Sequence, residues 1–130
     1  MTNYERACII MENYISRISK NKSKIYGYEI AIDYKENSYE TEKAWHFSIS
    51  AKKFLETRNE KDNLCAHHSH YFILKENYTL FSVDTFNRRI NYENEAKKIV
   101  NGECSYFVRK RKLKEKDFIG TGIKYSKVIH

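Results

Sequence analysis

At 130 residues and 15.6 kDa, the chain is long enough for one domain with one hydrophobic core. Its 41% hydrophobic and 32% charged residues exclude a disordered tail, and no run approaches the roughly 20 apolar residues that span a bilayer. The net charge of +7 lies wholly in residues 86–130, where twelve Lys/Arg meet five Asp/Glu, while residues 1–85 balance twelve against twelve.

The first element read along the chain is a helix. Thr2 and Glu5 form a capping box, and Tyr4, Ala7, Cys8, Met11, Tyr14, Ile15 and Ile18 follow at three-and-four spacing. Residues 21–24, Asn-Lys-Ser-Lys, are expected to end it. Strict alternation of Tyr26, Tyr28, Ile30, Ile32 and Tyr34 with smaller or polar residues predicts a first strand. Residues 35–41 are polar and read as a loop. The second strand sets Trp45, Phe47, Ile49 and Ala51 on one face, with His46, Ser48 and Ser50 on the other. Residues 52–63 read as a loop or one short helix.

Strands over 65–74 and 78–86 flank a turn at Lys75-Glu76-Asn77, with Phe81 and Val83 on one face and Tyr78 and Leu80 on the other. Asn91 is the N-cap of a second, shorter helix carrying Ala96, Ile99 and Val100, and Asn101-Gly102 stops it. A fifth strand over 104–113 and a sixth over 118–129, bent at Gly120-Thr121-Gly122, complete the pattern. The order predicts one α+β domain over residues 1–130. It has a mostly antiparallel sheet of five or six strands, with the N-terminal helix and the shorter helix packed on one of its faces.

Three cysteines at wide spacing, Cys8, Cys65 and Cys104, read as reduced thiols, and Glu5, Arg6 and Glu12 argue against a secretory leader. Both point to a cytoplasmic protein with no membrane partner. Eleven tyrosines suit half-exposed strand faces and wet binding surfaces, and such faces are also compatible with a homodimer.

The densest chemical feature is Arg109-Lys110-Arg111-Lys112-Leu113-Lys114-Glu115-Lys116, with six cations and one anion in eight residues. Such a run repels itself until an anionic surface meets it, which makes a phosphate backbone or an acidic nucleoprotein the expected partner. Arg88 and Arg89 extend the patch, and Tyr106 and Phe107 stand where they could stack on bases. The bland reading is a solvated strand end that keeps the protein soluble.

The second feature is Cys65-Ala66-His67-His68-Ser69-His70. Two histidines at i and i+2 can share a metal, but a zinc site wants three or four ligands, and no Cys-x-x-Cys or His-Glu-x-x-His spacing supplies them. No metal or cofactor is therefore expected. The runs His46-Phe47-Ser48 and His67-His68-Ser69 resemble the paired His-x-Ser strands of two-histidine phosphoesterases over six residues, closer in sequence than that family's pattern. The resemblance implies histidines acting as acid and base, with the hydroxyls on phosphate. A nuclease or phosphoesterase built on His46, His68 and His70 is thus the alternative to a non-enzymatic binding protein. Small basic chains of this kind are typical of phages and mobile elements, so an inhibitor of host defence of the anti-CRISPR type is one expected form of the binding reading.

Overall fold

The computed structural model describes residues 1–26, 28–35, 38–63, 69–83, 91–103, 105 and 107–128, with all of their side chains except those of 20–26, 39, 69 and 127. The helix α1 runs Asn3–Tyr26 over 24 residues. Its start is the predicted box: the Glu5 N–H donates to Thr2 Oγ1 at 3.1 Å, and the Thr2 N–H to Glu5 Oε1 at 3.3 Å. It overruns the expected stop because residues 21–24 hold neither glycine nor proline, and lysines near a helix C-terminus favour the macrodipole. Tyr26 is therefore helical rather than the first residue of a strand.

The strands are β1 (Ile30–Asp33), β2 (Tyr39–Glu40), β3 (Ala44–Ala51), β4 (Ser69–Leu74), β5 (Leu80–Val83) and β6 (Val108–Arg111). They form an antiparallel sheet in the order β1-β3-β4-β5-β6, with β2 paired to the start of β3. Two further helices follow β3 and β5: α2 (Lys52–Thr57) and α3 (Tyr92–Val100). The antiparallel α+β architecture is thus as the pattern predicts. The Asn91 side chain accepts from the Asn94 N–H at 3.1 Å. Gly102, at φ +83°, closes α3 as its N–H reaches Ile99 O and the Glu103 N–H reaches Lys98 O.

The sheet is covered on both faces, not on one. Register places Trp45, Phe47, Ile49, Tyr71, Ile73 and Leu80 against Ala7, Ile10, Met11, Tyr14 and Ile15 of α1. The opposite face sets Ala44, Phe72, Leu74, Phe81, Val83 and Val108 against Ala96, Tyr92 and Ile99 of α3. All eight residues of β3 are buried, including His46, Ser48 and Ser50, the polar set of the alternation. The α3 stripe at 92, 96 and 99 also needs a partner, and the second sheet face is the surface that supplies it.

Further expectations change. Tyr4 is 43% exposed and only stacks on Phe47 at 6.4 Å, while Ile10, outside the predicted stripe, is fully buried. The expected strand over 118–129 is absent among the described residues. That segment forms 3₁₀ turns at Glu115–Phe118 and Tyr125–Lys127, joined through Gly120 (φ +85°) and Gly122 (φ +74°). Two left-handed glycines two residues apart end the extended geometry a strand would need. Strand β6 is also shorter than expected, and β5 begins at Leu80. Tyr78, at φ +59°, belongs to the turn and stacks on Trp45 at 6.0 Å.

Candidate functional site

Strand β6 is the last in the sheet order, so among the described residues its outer edge is flanked by no further strand. Register aligns Arg109 with Ser82 and Arg111 with Leu80, which sends both arginines to the α1 side, and aligns Lys110 with Phe81 on the α3 side. Arg111 Nε donates to Ser82 Oγ at 2.8 Å. Lys112 is exposed where the strand ends, and Leu113 then turns into the core beneath α1. Burying Leu113 forces its neighbours outward, and the Tyr125 hydroxyl secures this bend by donating to Leu113 O at 3.0 Å. Lys114 and Lys116 follow, both exposed, on the turn that contains Glu115–Phe118. Arg109, Lys110, Arg111, Lys112, Lys114 and Lys116 therefore form one ridge. None of the six is in an ion pair among the described residues.

Below the ridge, helix α1 grips the turn through a stripe of polar residues that sequence reading had passed over. Arg6, Asn13 and Arg17 recur on one helical face. Arg6 Nε donates to Thr121 O at 3.1 Å, and Asn13 Nδ2 to Asp117 O and Ile119 O at 2.9 and 3.0 Å. Arg17 forks onto Asp117, Nε to Oδ1 at 3.1 Å and Nη2 to Oδ2 at 2.7 Å. The Asp117 side chain is 1% exposed and Oδ2 also accepts the Lys114 N–H at 2.8 Å. Polar residues at positions 6, 13 and 17, which share one helical face beside the apolar stripe, were the available signal. A cleft of about 490 Å³ opens between this part of α1 and the turn.

Arg17 also lies over the Tyr14 ring, 5.2 Å from its centroid. The Tyr14 and Tyr71 rings meet edge to face with centroids 5.8 Å apart, and burial pushes both hydroxyls up, Tyr71 to about 12. These tyrosines are buried supports for the ridge and not stacking platforms.

The histidines occupy the other face. His46 is 5% exposed, its ring 5.4 Å from Phe72 and 5.3 Å from Tyr92, and His70 sits 5.4 Å from the same Tyr92 ring. Burial, and then the neighbouring His70, lowers His46 to about 4, so it is neutral at pH 7. His46 and His70 thus share the α3 side, whereas Arg109 and Arg111 share the α1 side, and the sheet stands between them. Phe107 is half-buried beside β6. His67, His68, Arg88, Arg89, Tyr106, Cys65 and Cys104 lie outside the described residues. Among the described residues no three or more His, Cys, Asp or Glu side chains are grouped so as to hold a metal ion, and no helix is long and apolar enough to cross a membrane. Comparison with protein families, with curated proteins and with solved structures finds no match to this chain.

Proposed function

We propose that the chain is a non-catalytic protein that binds nucleic acid, free or within a nucleoprotein, through the ridge from Arg109 to Lys116. The carrying observation is that six cations run along one edge strand and the turn beyond it with no ion-pair partner among the described residues. Lysines do guard edge strands against unwanted pairing, but one or two charges suffice for that. Here the cations continue past the strand into the turn beyond it, which edge protection does not call for. A rigid row of cations along an edge tracks a phosphate backbone. Arg88, Arg89 and Tyr106 are the residues proposed to extend it. One form of this function is a phage or mobile-element inhibitor that covers the RNA or an acidic face of a CRISPR-type complex. A nuclease is less well supported, because Arg109 and Arg111 face the opposite side of the sheet from the His46–His70 pair.

The test is a binding titration on single- and double-stranded RNA and DNA at several salt concentrations. Arg109→Glu, Arg111→Glu and Lys112→Glu together are expected to weaken binding by about tenfold or more, and to flatten the log–log salt slope by about one unit per lost phosphate contact. The same reversal at exposed Lys35, Lys52 and Lys61 is expected to change affinity by about twofold at most. Equal losses from both triple variants, or no binding of any nucleic acid by the parent protein, would overturn the reading.

A further inference from the structure

The cleft between α1 and the turn holding Lys114 and Lys116 is built to do more than add two charges to the ridge. Its walls include Asn13, Ser16, Arg17 and Ile18 from the helix and Lys114, Lys116 and Asp117 from the turn. Asp117 is the one anion among them, and both its oxygens are engaged: Oδ1 by Arg17, Oδ2 by Arg17 and by the Lys114 N–H. Arg17 thus neutralises Asp117, which leaves two ammonium groups at the mouth without an ion-pair partner among the described residues. The turn that carries them is locked from both ends, since the Asp117 N–H also returns to Lys114 O at 2.9 Å. Two lysine stems therefore leave a fixed backbone beside an exposed Ser16 hydroxyl that can donate.

We propose that this cleft seats a phosphomonoester at the end of a nucleic-acid strand, with Lys114 and Lys116 as its charge partners; the inference rests on the binding function proposed above. An internal phosphodiester carries one negative charge, while a phosphomonoester carries about 1.5 to 2 at pH 7, which matches two ammonium groups. The cleft volume of about 490 Å³ suits one nucleotide-sized unit, and Ile18 gives that unit an apolar wall. Duplex phosphates would meet the ridge above it and leave the cleft empty.

The experiment compares one short single-stranded RNA carrying a 5′-phosphate, a 3′-phosphate or hydroxyls at both ends, by fluorescence anisotropy with the parent protein and with Ser16→Glu. One phosphorylated end is expected to bind about tenfold tighter than the hydroxyl-ended strand. Ser16→Glu places a carboxylate in the cleft and is expected to erase that preference, leaving the hydroxyl-ended strand within about twofold. Lys116→Met is a second variant expected to reduce the preference without adding an anion. Equal affinity for all three ends, or a preference that survives Ser16→Glu, overturns the proposal while ridge-dependent binding still stands. No binding of any strand overturns both. A nucleoside 5′-monophosphate or inorganic phosphate that binds as tightly as the phosphorylated strand would reassign the cleft to a free small anion and overturn the strand-end proposal.

Discussion

Replacing Asp117 with Ala tests the part of the structure on which both the ridge and the cleft depend. The substitution removes the two Arg17 bonds at 3.1 and 2.7 Å and orphans the Lys114 N–H that lay 2.8 Å from Oδ2. Truncating one partner of a buried ion pair costs about 3–5 kcal/mol, because the other charge is left unpaired. Arg17 keeps 20% of its side chain in solvent, so the lower end, about 3 kcal/mol, applies. The unpaired backbone N–H adds about 1 kcal/mol. A total near 4 kcal/mol should lower a urea midpoint by about 2 M, for an m value of about 2 kcal/mol/M. The readout is the fluorescence of the single tryptophan, Trp45, which is buried under Tyr78 and Lys75. Adding Arg17→Met should recover about 2 kcal/mol by removing the stranded guanidinium, and the double-mutant cycle measures that coupling. A loss below about 1 kcal/mol for Asp117→Ala, or no recovery in the double variant, would refute the clasp as a source of stability.

Ile15→Asp, at a position 3% exposed against the sheet, buries an unpaired carboxylate and should cost about 3 kcal/mol or more; an unchanged thermal midpoint by circular dichroism would refute the packing of α1. His46 binds its proton near about 4 in the fold and near the ordinary 6.5 when unfolded, so the unfolded chain takes up protons first as the pH falls. Its contribution is therefore fully present above pH 6.5 and is lost as the pH drops towards 4, by about 3 kcal/mol in all. His46→Phe fits the aromatic slot formed by Phe72 and Tyr92 and should flatten that stretch of the stability–pH curve; superimposable curves for the two proteins would count against the burial of His46.

The elements with local causes were legible in the sequence. The Thr2–Glu5 box, the Asn91 cap, the Gly102 stop and the turn at 75–77 are each set by residues a few positions apart, and each forms. What escaped reading is set at long range. Arg17 and Asp117 are 100 positions apart, and Arg58 and Asp33, another forked pair at 2.9 and 3.0 Å, are 25 apart. No spacing rule joins such partners. Alternation in β3 correctly divided Trp45, Phe47 and Ile49 from His46, Ser48 and Ser50, yet it could not say that the polar set would be buried as well, His46 against Tyr92 of α3. The glycines at 120 and 122 were read as a bend in a strand, because a left-handed φ pair and a strand bulge look alike in sequence. The site was legible as charge: the cations were found, but not the helix face that positions two of them.

The grip of α1 on the turn after β6 has a consequence for the order of events during synthesis. Strands β3 to β5 neighbour one another in both chain and sheet, so their hairpins can close as they emerge. Asn13 must wait for a carbonyl 104 residues downstream. At about 5–20 residues per second, that delay is about 5–20 seconds. Through that interval Arg6, Asn13 and Arg17 lack the groups they hold in the finished fold. Closing a loop of that length comes late and slowly. The ridge and cleft take their final shape only with that step, so a nascent chain would gather these cations into one surface when folding ends, not while it proceeds.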